Sequence, residues 1–246
     1  GNVLNQPQEK ILKATIKTIA AFAMITFAAP AFAGGVTVAE DGDSKLKLEA
    51  LFYLNTFRVT DDRTTAGASS KTETTGLNVD RAYFTAKYYF DKDWMMRFTT
   101  DMQHESSATH GKQQNIYLKY AYVEGKLVDD AVVLRLGQSH TPWIDYEQGL
   151  WKHRYVAKVM SDQYKFDTSA DLGLGLKGKL ADGMVDYFVT ASNGTGYAKG
   201  NPSTGLNGID FNSRLGIHPI KGLDLDVQFM NGYKATKTKI ANVNTN

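Results

Sequence analysis

The sequence predicts an all-β chain, an antiparallel up-and-down sheet of the transmembrane-barrel kind, and three observations carry that expectation. Polar and apolar residues alternate with a period of two through about nine segments. Several segments run to about ten residues, which suits a tilted membrane-crossing strand and exceeds the usual globular strand of about five or six. The connections alternate between long and short, as they do where every second turn lies on the same rim of a barrel.

The amino end is expected to stand apart. Lys10, Lys13 and Lys17 precede an apolar run over 18–29, and Pro30-Ala31-Phe32-Ala33 ends in a small-x-small pattern ahead of Gly34. A basic stretch, a short apolar run and such a site make an export signal. Residues 1–33 are therefore expected to be a signal-peptide helix, and 34–246 the first part of a barrel. The apolar run is about a dozen residues, short of the roughly 20 that a membrane-spanning helix needs. An exported chain with no later stretch of that length either stays in water or crosses a membrane as strands.

The segments follow in order. Over 45–55, Leu46, Leu48, Ala50, Phe52 and Leu54 share one face, while Lys45, Lys47, Glu49, Tyr53 and Asn55 share the other. Over 81–90, Ala82, Phe84, Ala86 and Tyr88 oppose Arg81, Tyr83, Thr85 and Lys87. Trp94, Met96 and Phe98 oppose Arg97, Thr99 and Asp101; Ile116, Leu118, Tyr120 and Tyr122 oppose Tyr117, Lys119 and Val123. Further strands are expected over 132–139, 171–180, 185–192, 211–218 and 223–230. Long connections fall at 61–76, 105–112, 140–169 and 193–208, short ones at 91–93, 125–131, 181–183 and 219–222. Tyr88, Tyr89, Phe90 and Trp94 flank one turn, where an interfacial girdle would sit. About nine strands cannot close an even-numbered barrel, so an open, curved sheet with a bare edge near 223–230 is expected.

Composition narrows the function classes. The chain has 22 Gly, 13 Tyr and 12 Phe against 5 Pro and no Cys, which favours β structure and excludes disulfides and thiolate metal sites. A mean hydropathy of −0.34 fits a barrel whose inner half is polar. A net charge of +2 without a basic run argues against nucleic acid. Gly173 to Gly178 spells G-x-G-x-x-G, yet it alternates straight through as a strand, and a dinucleotide site needs a helix opening there. The histidines His104, His110, His140, His153 and His218 show no zinc-binding spacing, although His104 and His110 share one polar loop. Asp41-Gly42-Asp43 is too short for a calcium loop, and no Gly-x-Ser-x-Gly elbow occurs. No cofactor, metal or catalytic residue is expected.

The chain resembles the phosphate-selective porin O and P family. The resemblance rests on Arg81-Ala-Tyr-Phe-Thr-Ala-Lys87 leading into Phe90-Asp-Lys-Asp-Trp94, and on Tyr120-Ala-Tyr-Val-Glu124. It continues through Leu134-Arg-Leu-Gly-Gln138, Thr141-Pro142 and Leu172-Gly-Leu-Gly-Leu-Lys-Gly178, covering most of the chain from about Lys45. It implies a sixteen-stranded, trimeric outer-membrane channel for small hydrophilic solutes, with outer-membrane lipid as its surroundings and inorganic anions such as phosphate among its solutes. It also implies that the longest connection, 140–169, folds inward as a constriction loop bearing Asp145, Glu147, Lys152, His153, Arg154 and Lys158. The alternative is an ordinary external loop whose charges are merely solvated. If the polar faces line a pore, Arg81, Lys87, Arg97, Lys119, Arg135, Lys177 and Arg214 are its basic lining, with Lys179 beside them. Glu49, Asp101, Asp171, Asp186, Asp224 and Asp226 are the acidic lining. A cationic lining suits anions, and the acidic set dilutes that preference. Two other classes stay open: an outer-membrane enzyme or adhesin acting through external loops, and a secreted soluble β-sandwich binder.

Overall fold

A computed structural model describes residues 32–65, 68–107, 111–197 and 208–232. Ten strands form one sheet in chain order: β1 Phe32–Asp41, β2 Ser44–Thr65, β3 Ala68–Tyr89, β4 Trp94–Ser107, β5 Gly111–Val128, β6 Val132–His140, β7 Ala170–Leu180, β8 Val185–Ser192, β9 Asp210–Ile220 and β10 Leu223–Asn231. Every strand pairs antiparallel with its chain neighbours, an up-and-down meander with no crossover. Among the described residues, helix is confined to α1 Pro142–Leu150, α2 Met160–Gln163 and a 3-10 turn at Ala181–Gly183. No described helix is long and apolar enough to cross a membrane.

The sequence pattern shows nine of these strands and misses β1. Its backbone pairs with β2 from Phe32 opposite Phe52 to Asp41 opposite Ser44. Asp41-Gly42-Asp43, dismissed as a calcium loop, is the turn between them, and Gly42 takes the φ of +57° that such a tight hairpin accommodates. The expected signal-peptide helix lies outside the described residues except for Phe32 and Ala33, whose backbone belongs to β1.

With β1 in place, tight turns join β1 to β2, β3 to β4, β5 to β6, β7 to β8 and β9 to β10, so they share one rim. The long connections lie on the other rim, and two of them differ from expectation. Much of 61–76 continues as strand: β2 and β3 pair from Lys45 opposite Tyr89 out to Thr65 opposite Ala68. β4 and β5 likewise pair out to Ser107 opposite Gly111. β1 accompanies β2 only as far as Phe52, and β4 accompanies β3 only back to Phe84. Beyond those residues the β2–β3 pair continues as a two-stranded ribbon, about 40 Å long at about 3.3 Å per residue, with no third strand paired to it among the described residues. Its many threonines suit extended backbone, which explains why a polar stretch expected as loop forms strand.

A register shift corrects one face assignment. Thr99 pairs with Tyr120 and Thr100 with Leu118, so Lys119 is an extra residue on β5. Such a bulge breaks the two-residue alternation. Lys119, Tyr120 and Tyr122 therefore all point to the polar side, where unbroken alternation had placed both tyrosines with Leu118.

Burial across the sheet is inverted relative to a protein folded in water. The buried side carries Thr85, Thr99, Asp101, Arg135, Asn212 and Arg214, with Tyr53, Tyr83 and Tyr122 among them. The opposite side exposes Phe52, Phe84, Phe98, Leu118, Leu136, Leu174, Phe211, Leu215 and Val227. Each such side chain would gain about 1.5–3 kcal/mol from burial. A contiguous apolar face of that extent marks a surface that meets something other than water. β1 and β10 each pair with one strand alone, so both edges are bare among the described residues and the sheet is open, as expected for 223–230.

Candidate functional site

The 140–169 segment lies on the polar side of the sheet. β6 ends at His140, Thr141 is extended, and Pro142 opens α1, where its fixed φ and missing N–H cost nothing. Ile144 is fully buried, and α1 rests against β8 and β9. There the Tyr146 ring lies 4.3 Å from the Arg214 guanidinium. A hydrogen bond to Asp226 pushes the Tyr146 phenol up to about 12. The chain then turns, and Arg154 donates to the Tyr83 hydroxyl on β3 at 3.4 Å. On the way back Thr141 Oγ1 donates to the Thr168 carbonyl at 2.5 Å and closes the base of the segment. It thus reaches from β9 to β3 across the polar face.

Two sizeable cavities lie between segment and sheet. The larger, about 590 Å³, is bordered by Lys47, Glu49, Arg97, His140, Gln148 and Arg154. The second, about 420 Å³, is bordered by Glu124, Asp145, Lys177, Asp186 and Arg214.

Most of the basic lining is neutralised by carboxylates on neighbouring strands. Arg81 meets Asp101 at 2.7 Å and Lys87 meets Glu49 at 2.7 Å. Glu124 holds both Arg135 at 2.6 Å and Lys177 at 2.9 Å. Arg214 binds Asp226 at 2.5 Å and also Asp186. Arg97 and Lys119 differ. Arg97 donates to Thr99 Oγ1 at 3.0 Å and lies 4.8 Å over the Tyr120 ring, with no carboxylate partner among the described residues. Lys119 is 0% exposed, sealed by Ser169 Oγ at 2.5 Å and the Tyr197 ring at 3.2 Å. It fastens the returning segment to β5 and borders neither cavity.

The six segment residues divide between two sides. Arg154 faces the sheet, and Asp145 lies 3.9 Å from His140 Nε2. Glu147 accepts the Ser161 N–H at 3.3 Å and braces α1 against the start of α2. Lys152 and His153 are exposed, the latter 3.0 Å from the Tyr155 hydroxyl, and Lys158 pairs with Asp162 at 3.8 Å. Sequence reasoning missed Glu124, which lies in a quoted motif yet was not assigned to the lining. It also missed Gln148, whose amide Nε2 is buried without a hydrogen-bond partner. Periodicity carries no signal for either, because both depend on how the segment settles onto the sheet.

The remaining motifs resolve plainly. Gly173, Gly175 and Gly178 lie within β7, where a Cβ on Gly173 would strike the Ala191 carbonyl and one on Gly178 the Ala131 carbonyl. They permit close strand approach and open no helix. His110 lies outside the described residues, as does the side chain of His104. Among the described residues no three His, Asp or Glu side chains group as metal ligands.

No protein-family model matches the chain. No curated protein matches it either.

Proposed function

We propose that this chain forms the wall of an outer-membrane channel of the phosphate-selective porin O and P type, admitting small hydrophilic solutes with a preference for anions. The observation that carries the reading is the inverted sheet: apolar side chains exposed on one side, and a charged face beneath a folded-in segment on the other. A bilayer would cover the apolar side and water would fill the polar one, which is the division of labour in a barrel wall. A soluble sandwich needs a second sheet packed on the first, and the described strands form a single sheet. The inward segment would narrow the passage. Around the larger cavity Arg97 and Arg154 have no carboxylate partner among the described residues, whereas Glu49 is held by Lys87. That surplus favours anions at the narrow point. Closure would be completed by further strands added to the bare edges, and the trimer implied by the family likeness belongs to the same proposal.

Single-channel conductance of the full-length protein in a planar bilayer tests the reading. Stepwise conductance with a reversal potential of anionic sign under a salt gradient is expected. Silence from folded, inserted protein would instead favour an adhesin, for which the projecting β2–β3 ribbon is the one supporting feature.

A further inference from the structure

The short-turn end of β9 holds a histidine in an unusual setting. His218 Nδ1 lies 2.6 Å from Asp224 Oδ1 on β10, and its Nε2 lies 2.7 Å from Asp186 Oδ2 on β8. A neutral imidazole has one N–H, whereas carboxylates only accept. Both contacts are therefore hydrogen bonds when the ring carries two protons. Arg214, four residues back on the same strand, repeats the pattern by binding Asp186 on one side and Asp226 on the other. Lys179 stands opposite Asp186 in the β7–β8 ladder but is exposed, as is Asp182 in the adjoining turn. From α1, Tyr146 stacks on Arg214.

We propose that His218 is a proton-operated staple that joins β8 to β10 across β9 and sets the charge of this part of the polar wall. With the ring doubly protonated, two cations (His218 and Arg214) face three carboxylates (Asp186, Asp224 and Asp226), a net charge of 2 − 3 = −1. Loss of one ring proton makes it 1 − 3 = −2 and leaves one carboxylate without its donor. Rising pH thus loosens the β8–β10 tie and makes the wall less hospitable to anions. The consequence for selectivity rests on the channel reading; the staple itself does not.

Two measurements on the full-length protein keep the two apart. Nitrogen NMR of the His218 ring, assigned with His218→Gln, reads the protons directly: both nitrogens protonated at pH 6 is expected, and a singly protonated ring there overturns the staple. Reversal potentials between pH 5 and 9 read its effect. The cation-to-anion permeability ratio is expected to rise about four-fold with pH, since one charge at about 10 Å in water helps the cation and hinders the anion by about two-fold each, and to lose that step in His218→Gln. Identical curves for both proteins overturn the charge-setting role. Absence of any conductance overturns the channel reading, and the ring measurement then decides the staple alone.

Discussion

Arg154, near the middle of the folded-in segment, donates to the hydroxyl of Tyr83 on β3, 71 residues earlier in the chain. The same hydroxyl accepts Arg81 at 2.8 Å, and Arg81 in turn binds Asp101. The segment is thus tied to a charged relay already buried in the sheet, and that tie holds it against the polar face.

Removing the acceptor tests the tie. Tyr83→Phe removes two guanidinium hydrogen bonds, each worth about 1.5–3 kcal/mol, and should speed proteolysis within 151–158. Cleavage at the wild-type rate would show that the segment is held elsewhere.

Charge reversal should separate the two sides of the segment. Arg154→Glu changes two unit charges beside the larger cavity, so the anion-to-cation permeability ratio should fall by roughly ten-fold or more. Lys152→Glu, on the exposed side, should change it far less. Equal effects of both would contradict the placement of Arg154 against the sheet.

The outward face can be tested without any transport assay. Phe98 is 49% exposed amid the apolar band. Phe98→Arg should destabilise the protein folded in lipid vesicles by about 2–4 kcal/mol if the site faces the bilayer midplane. Unaltered heat-modifiable gel migration and denaturant midpoint would mean that water covers this face.

Gly137 has φ of +125°, and a Cβ there would run into the Ala121 carbonyl. Gly137→Ala should therefore cost about 1–3 kcal/mol through backbone strain, read as a lower urea midpoint. A neutral substitution would show that β6 can relax away from β5.

The Tyr146 phenol titrates at about 12 through its hydrogen bond to Asp226, so this contact is intact below the usual tyrosine range near 10 and is lost as pH rises through 12. Asp226→Asn should bring the ionisation, followed by ultraviolet absorbance, back toward 10. An unchanged curve would place the cause elsewhere.

The strand pattern was readable because one face is apolar and the other polar. Leu46, Leu48 and Phe52 against Lys47, Glu49 and Tyr53 need no tertiary information. The β5 faces were not readable past Lys119, since a bulge is set by pairing with β4 and leaves no mark in the periodicity. β1 was hidden because its first residues double as an export-signal pattern. At the site, Arg81, Arg135 and Arg214 were legible as cations of the polar face. Their neutralisation by Asp101, Glu124 and Asp186 was not, because each pair depends on the register between paired strands, which periodicity does not set.

If the sheet is a channel wall, the pairing of its charges makes selectivity easy to change by subtraction. Among the described residues, Glu124 is the carboxylate that pairs with both Arg135 and Lys177. A single nucleotide change that turned this carboxylate into an amide would unmask two positive charges at once, on side chains already in place. A lineage pressed toward anionic nutrients could move there by losing an acid, without having to evolve a new base.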